Sequence, residues 1–192
     1  MSTGLMNTAS QRFAKLATMH ETIFHAHDLA NLWQIEDKNT LYTTLKRYNK
    51  EGLIFRIHKG LYALQPVLKL DPYLLGIKIL HQYSYISTET ILEKEGIVQQ
   101  SSPYITLVSS KSKKFSAGAN QYCSRQLSDK YLFQTCGIHD VNGIKMATSE
   151  RAIADLLYFN PGAFLDSGHF VNWKKVIKLQ KEIGYPVHKR YR

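Results

Sequence analysis

The chain has 192 residues, 44% of them hydrophobic, which allows one domain or two small ones, each with a buried core. It carries 25 Lys and Arg against 15 Asp and Glu, a formal net charge of +10. Such a charge favours a polyanionic partner: nucleic acid, an anionic membrane surface or an acidic protein. No run approaches the roughly 18 apolar residues of a membrane span, and the N-terminal residues lack the pattern of an export signal. We therefore expect a cytoplasmic protein without a membrane partner.

The first 66 residues predict the element order of a winged helix-turn-helix domain. In the third predicted helix, Leu41, Leu45 and Tyr48 recur at a spacing of three to four, and Gly52 ends the helix. Gly60 supplies the turn of the hairpin that follows. The elements expected in chain order are a helix around 13–17, an extended piece at 22–24, helices at 27–33 and 38–51, and a hairpin of 53–57 and 61–64.

In a winged helix the third helix enters the major groove and the wing meets the backbone or minor groove. The hydroxyl, amide and basic side chains of these elements suit phosphates and base edges. A solvated helix face with a surface hairpin, or a protein-interaction module, remains an alternative. The residues predicted to bind DNA are Lys38, Asn39, Thr40, Tyr42, Thr43, Lys46, Arg47, Arg56, His58 and Lys59.

Residues 67–192 predict an α+β domain with a mainly antiparallel sheet. Asp71-Pro72 opens a helix, because Pro is tolerated in a first turn. Asn142-Gly143 is a strong hairpin signal. The other elements expected are an extended piece at 85–87, a helix at 88–94 that Gly96 stops, strands at 104–108 and 131–135, and helices at 148–160 and 170–183.

Most of the excess positive charge lies outside the predicted winged helix. Residues 67–192 hold 17 Lys and Arg against 10 Asp and Glu, whereas residues 1–66 hold 8 against 5. One cluster is expected in a loop: Lys111, Lys113 and Lys114. The other is the C-terminal helix and tail, with Lys174, Lys175, Lys178, Lys181, Lys189, Arg190 and Arg192. On the last helix, Lys174, Lys178 and Lys181 share a face opposite an apolar stripe. Both lysine clusters are candidate contacts for DNA or a protein partner, or solvated surfaces.

The sequence gives little support for catalysis or for a cofactor. It has no HExxH, GxSxG, GxGxxG or P-loop motif, and Asp129, Asp140 and Asp155 define no carboxylate pair. Cys123 and Cys136 lack flanking histidines for a zinc site, and we expect reduced thiols. We predict a protein that is not an enzyme and has no metal or other cofactor, although a nuclease can be cryptic in sequence.

Three segments together resemble the AbiEi-type antitoxins. The first is the wing, residues 58–64, with a basic residue, Gly, aromatic and Leu in order. The second is Tyr85-Ile86-Ser87 followed by a helix and Gly96. The third is residues 148–157, similar to the family's Thr-x-Glu-Arg-Ala-hydrophobic-x-Asp-Leu signature through Thr148, Glu150, Arg151 and Asp155. The resemblance spans residues 10–160.

The resemblance implies a repressor that binds inverted repeats in the promoter of its own operon. It also implies an antitoxin against a nucleotidyltransferase-like toxin, in a type IV toxin–antitoxin system with a role in phage defence. The toxin is counteracted directly or indirectly, and the family includes solitary regulators. The signature has an architectural interpretation too, because Thr148 can cap a helix and Arg151 can pair with Asp155 four residues later.

Overall fold

The computed structural model describes residues 8–187, which form two compact units that divide between Leu70 and Asp71. The predicted boundary followed residue 66, and the short 3-10 turn Val67–Lys69 lies between the two positions. The α+β prediction is confirmed: the described residues contain eight α-helices, a three-stranded sheet and a six-stranded sheet. Within 8–187, no helix is both long and apolar enough to cross a membrane.

The first unit consists of three helices and a small antiparallel sheet. Strand β3 lies between β1 and β2, so the sheet order is β1-β3-β2. Every helix and strand predicted here is present, within a few residues of its predicted limits. The elements are α1 (Ala9–Thr18), β1 (Ile23–His25), α2 (Ala26–Trp33), α3 (Lys38–Lys50), β2 (Phe55–His58) and β3 (Leu61–Ala63).

Tyr48 of α3 is central to the core of this unit. Its ring lies 5.3 Å from that of Phe13 and 5.8 Å from that of Trp33, the latter edge-on. Leu41 and Leu45 are buried beside it, as their spacing predicted. These contacts hold the apolar side of α3 against α1 and α2, and the opposite side of α3 faces solvent.

The second unit is built on one six-stranded sheet with the order β6-β7-β5-β4-β9-β8. Its elements are α4 (Pro72–Leu80), β4 (Ser84–Ile86), α5 (Glu89–Lys94), β5 (Tyr104–Ser109), β6 (Lys113–Ala117), β7 (Asn120–Gln126), α6 (Asp129–Leu132), β8 (Ile138–Val141), β9 (Ile144–Ala147), α7 (Ser149–Phe159) and α8 (Trp173–Ile183). The sheet is mixed, because β5 pairs with β7, and β4 with β9, in parallel. The other three pairings, β4–β5, β6–β7 and β8–β9, are antiparallel, so the sheet is mainly antiparallel as predicted, and the two parallel pairings were not anticipated.

Helices cover both faces of this sheet. On one face, Gly76 of α4 lies so close to β7 that an added Cβ would come within 2.7 Å of the Tyr122 ring. On the other face, the Thr90 hydroxyl of α5 lies 2.9 Å from that of Thr106, and Tyr85 hydrogen-bonds to α7. Neighbouring residues of β5 alternate between the two layers, as the pleat of a strand requires.

Two local predictions in this unit were wrong. Residues 131–135 form the end of α6 and a turn rather than a strand. Tyr131 packs edge-on against Tyr158 and Tyr185, and this packing overrides the β-propensity of the segment. Lys113 and Lys114 lie on edge strand β6, not in a loop, whereas Lys111 is in the connection before it. Lysines suit an edge strand because they discourage pairing with another chain.

Candidate nucleic-acid interface

Helix α3 begins at a cap that uses one of the predicted DNA contacts. The Asp37 carboxylate accepts hydrogen bonds from the Thr40 hydroxyl at 2.7 Å and from its backbone N–H at 2.8 Å. These bonds hold the pKa of Asp37 below its ordinary value. The Thr40 hydroxyl proton is therefore committed to the helix start and is not available to a partner.

One exposed stripe runs the length of α3. Asn39, Thr43, Lys46 and Lys50 follow one another at spacings of four, three and four, and all are exposed. This α3 stripe lies opposite the buried residues of the helix. The sequence prediction included the first three members but missed Lys50, which its spacing of four from Lys46 would have identified.

Arg47 lies beside the α3 stripe rather than on it. Its Nε is 4.0 Å from Glu51, and its guanidinium is 5.2 Å from the centre of the Tyr48 ring. Both charged side chains remain about half exposed, so the ion pair contributes little to stability. Arg47 is thus directed along its own helix, while Lys46 points outward.

The β2–β3 hairpin presents three exposed basic side chains and is anchored on both sides. Arg56, His58 and Lys59 are exposed, and the strand register shifts between Arg56 and His58. The Arg56 N–H donates to the Asn49 side chain of α3 at 2.8 Å. At the tip, the Gly60 carbonyl accepts from the N–H of Ala26 in α2 at 2.8 Å. The hairpin is therefore held in a defined position beside α3.

A cavity of about 360 Å³ lies between α3 and the hairpin. It brings together four of the predicted DNA contacts, Tyr42 and Lys46 from α3 with Arg56 and Lys59 from the hairpin. The remaining lining residues are Leu45, Asn49, Gly60 and Tyr62, so the lining has three cationic side chains and no carboxylate. We call this space the hairpin cavity. An anionic group is the ligand that its charge favours.

The signature residues of α7 occupy a different kind of site, inside the second unit. Arg151 and Asp155 form an ion pair, Nε to Oδ1 at 2.9 Å, with both side chains fully buried. Arg151 also donates to Tyr85 at 2.8 Å and to the carbonyls of residues 134 and 136. Asp155 accepts further hydrogen bonds from Tyr85 at 3.0 Å, Ser87 at 2.8 Å and Tyr185 at 2.8 Å. We call this set the α7 network.

The geometry of the α7 network supports an architectural role. It joins α7 to β4 and the residue after it, to the segment before β8, and to Tyr185, two residues after α8. Burial, reinforced by the charge of Asp155, raises the pKa of Tyr85 above its ordinary value, so this tyrosine remains neutral. Thr148 caps α7 by accepting from the Arg151 N–H at 3.2 Å, and Glu150 pairs with Lys175 of α8 at 3.0 Å. Each signature residue therefore has a structural partner.

The lysine clusters of the second unit lie on two separate elements. Lys113 and Lys114 of β6 extend over the rings of Phe115 and Tyr104, at 5.3 and 4.9 Å. On α8, Lys174, Lys178 and Lys181 are exposed, and Lys178 is 3.7 Å from Glu182. The predicted tail cluster, Lys189, Arg190 and Arg192, lies outside the described residues.

Within the described part of the chain, no group of three or more His, Cys, Asp or Glu side chains could hold a metal ion. Cys123 and Cys136 are free and partly buried. No protein-family model matches the chain, and no curated protein matches its sequence significantly.

Proposed function

We propose that the chain is a transcriptional repressor that binds duplex promoter DNA through a winged helix-turn-helix in its first unit. The observation that carries the proposal is the placement of the α3 stripe beside a hairpin cavity lined by Lys46, Arg56 and Lys59 without an acidic residue. A helix with one polar, basic stripe fits the major groove, and the hairpin then meets the adjacent backbone. This function requires no chemical reaction on the DNA.

The α3 stripe and the hairpin serve different parts of recognition. Asn39 is suited to adenine and Lys46 to guanine, because an amide matches N6 and N7 of adenine and an ammonium matches O6 and N7 of guanine. Arg56, His58 and Lys59 supply charge to phosphates, which position the protein without reading sequence. Binding should therefore combine sequence preference with a strong dependence on salt.

The resemblance to the AbiEi-type antitoxins supports a more specific biological role. On that basis the repressor acts in the cytoplasm on inverted repeats in the promoter of its own operon. It also counteracts a nucleotidyltransferase-like toxin of a type IV system, by contact or indirectly. The second unit, with its basic β6 and α8 surfaces, is where we place antitoxicity.

Fluorescence anisotropy with the chain's own promoter duplex and a scrambled duplex tests DNA binding. Lys46→Ala should weaken promoter binding by about 1–3 kcal/mol and reduce the preference over the scrambled duplex. Lys59→Ala should weaken binding to both duplexes equally, and it should reduce the slope of log affinity against log salt concentration by about one. Lys69→Ala, an exposed lysine of the same unit outside α3 and the hairpin, is the control. The proposal fails if the control weakens binding as much as Lys46→Ala does.

Antitoxicity needs a separate experiment. The gene next to that of the chain is cloned under an inducible promoter, and growth is measured with and without the chain. Growth arrest that the chain relieves is the expected result. Relief should persist in the Lys46→Ala variant if the second unit carries this activity. A neighbouring gene that causes no arrest would contradict the antitoxin role and leave the repressor role standing.

A further inference from the structure

A cavity of about 370 Å³ opens over the β6–β7 side of the sheet in the second unit. Three strand residues in register line it: Lys114 of β6, Cys123 of β7 and Thr106 of β5. Arg125 lies two residues beyond Cys123 and therefore on the same face of the sheet. Glu89 of α5 and the connection between α5 and β5 complete the wall. We call this space the β7 cavity, and only Lys114 of its lining was predicted as a contact from the sequence.

The Glu89 carboxylate in this wall has one oxygen engaged and one unsatisfied. Its Oε1 accepts a hydrogen bond from the Arg125 guanidinium. Its Oε2 is buried and has no hydrogen-bond partner among the described residues. Leaving a buried charged acceptor unpaired is costly, and such groups are normally satisfied. A ligand in the β7 cavity that carries an N–H donor would satisfy Oε2.

The position of Glu89 is fixed from both sides. Thr88 before it is fully buried, with φ 54° and ψ −131°, a conformation that a β-branched residue rarely adopts. Thr90 after it donates its backbone N–H to the Thr106 hydroxyl at 3.1 Å. Backbone strain of this kind persists only where the surrounding structure imposes it, and it is concentrated at functional sites. The carboxylate is therefore held over the sheet before a ligand binds.

Two cationic side chains share the β7 cavity with this carboxylate. Arg125 pairs with Glu89, and its guanidinium lies 5.6 Å from the centre of the Phe159 ring. Lys114 reaches across β7, so that its ammonium lies 4.9 Å from the centre of the Tyr104 ring of β5. A ring contact does not neutralise the charge of an ammonium. The lining thus carries two positive charges against one negative charge, and the complementary ligand has two anionic groups and one cationic N–H donor.

We propose that the β7 cavity binds a dicarboxylic α-amino acid. One carboxylate of the ligand pairs with Lys114 and the other with Arg125, while its ammonium donates to Oε2 of Glu89. The cavity is near the small end of the range of ligand pockets, about 300–1,000 Å³, which suits a free amino acid. This binding site gives the second unit a small-molecule ligand and does not depend on DNA binding by the first unit.

Calorimetric titration of the full chain with three related ligands tests each charge of the ligand. L-glutamate should bind. Glutarate lacks only the amino group, and L-glutamine lacks only one carboxylate charge. Each should bind at least about tenfold more weakly than L-glutamate, because each loses a charge-assisted hydrogen bond.

Two lysine variants of β6 test the protein side of the same contacts. Lys114→Gln should weaken L-glutamate binding by about tenfold or more. Lys113→Gln is the matched control, because Lys113 is an exposed neighbour on the same strand that does not line the β7 cavity. It should leave binding unchanged. Circular dichroism spectra confirm that both variants are folded.

Alkylation of Cys123 locates the ligand. Cys123 and Cys136 are both free and partly buried, and of the two only Cys123 lines the β7 cavity. Bound L-glutamate should slow the reaction of Cys123 with iodoacetamide, measured by mass spectrometry of the two cysteine peptides. The reaction of Cys136 should not change, so it serves as the internal reference.

Four results would overturn the proposal. Equal affinity for L-glutamate and glutarate would mean that Oε2 of Glu89 does not receive an ammonium. Equal weakening by Lys113→Gln and Lys114→Gln would mean a diffuse attraction to the basic strand. Protection of Cys123 by adenosine monophosphate but not by L-glutamate would assign the cavity to a nucleotide. Absence of both binding and protection would mean that the cavity holds solvent only. The proposed DNA binding stands or falls separately, on the anisotropy measurements.

Discussion

Replacing Asp155 with Asn tests whether the α7 network stabilises the second unit. The substitution keeps the shape of the side chain and removes its charge. The Arg151 guanidinium, fully buried, would then lack its counter-ion. Removing one partner of a buried ion pair costs about 3–5 kcal/mol, because the remaining charge stays desolvated. A typical domain is stable by only about 5–15 kcal/mol, so a large part of the stability should be lost.

The structure predicts a graded series around this variant. Tyr185→Phe removes one hydrogen bond to the Asp155 carboxylate, so it should cost about 1.5–3 kcal/mol. Lys175→Gln breaks an ion pair in which the lysine side chain is 59% exposed, so it should cost about 0–1 kcal/mol. The order of the three variants follows from burial and not from the number of charges removed.

Hydrogen exchange measured over a series of urea concentrations is the suitable assay. The chain forms two units that can unfold separately, so a signal from the whole molecule would mix two transitions. Peptides from α7 and β4 report the free energy of unfolding of the second unit alone. A cost for Asp155→Asn no larger than that of Lys175→Gln would refute the reasoning about the α7 network.

Three further predictions concern the second unit. Burial, together with the charge of Asp71, raises the pKa of Tyr122 to about 12, from about 10 in the unfolded chain. Tyr122 therefore makes its full contribution to stability below about pH 10 and loses it as the pH rises through about 12. The urea concentration at the midpoint of unfolding should therefore fall as the pH rises from about 10 to about 12. It should fall less steeply in Tyr122→Phe, which has no group to titrate. Gly76→Ala should cost about 1–3 kcal/mol in urea denaturation, because the new methyl group meets the Tyr122 ring, and an unchanged midpoint would contradict this close approach. Thr148→Ala should cost about 1 kcal/mol through loss of the α7 cap, whereas Thr148→Ser should retain most of the stability in the same measurement.

Most helices and strands of the first unit could be predicted from local sequence patterns. The spacing of Leu41, Leu45 and Tyr48 identifies the buried side of α3, and Gly60 identifies the hairpin turn. What the pattern could not supply was the direction of each exposed side chain. Adjacent residues such as Lys46 and Arg47 point about 100° apart on a helix, and one of them is drawn to Glu51.

In the second unit, the sequence predicted the hairpin turn but not the two parallel strand pairings. Asn142-Gly143 correctly indicated the β8–β9 hairpin. The parallel pairs join segments that are distant in sequence or separated by a reversing strand, so no local turn marks them. The polar strand β6 lacks the apolar alternation of a half-buried strand, because it lies at the sheet edge. For residues 131–135, aromatic packing outweighed the intrinsic preference of the chain.

By itself the sequence determined the α+β class, the helix and hairpin that carry the basic residues, and the i, i+4 spacing of Arg151 and Asp155. Only the tertiary structure decided what that spacing means. Removing one partner of such a pair costs a few tenths of a kcal/mol on a solvated helix, but about 3–5 kcal/mol when β4 and Tyr185 enclose it, because the remaining charge stays desolvated. Likewise, Lys46, Arg56 and Lys59 line one cavity only when α3 and the hairpin are brought together. Spacing encodes which residues share a face, whereas burial and charge proximity arise from contacts between distant segments.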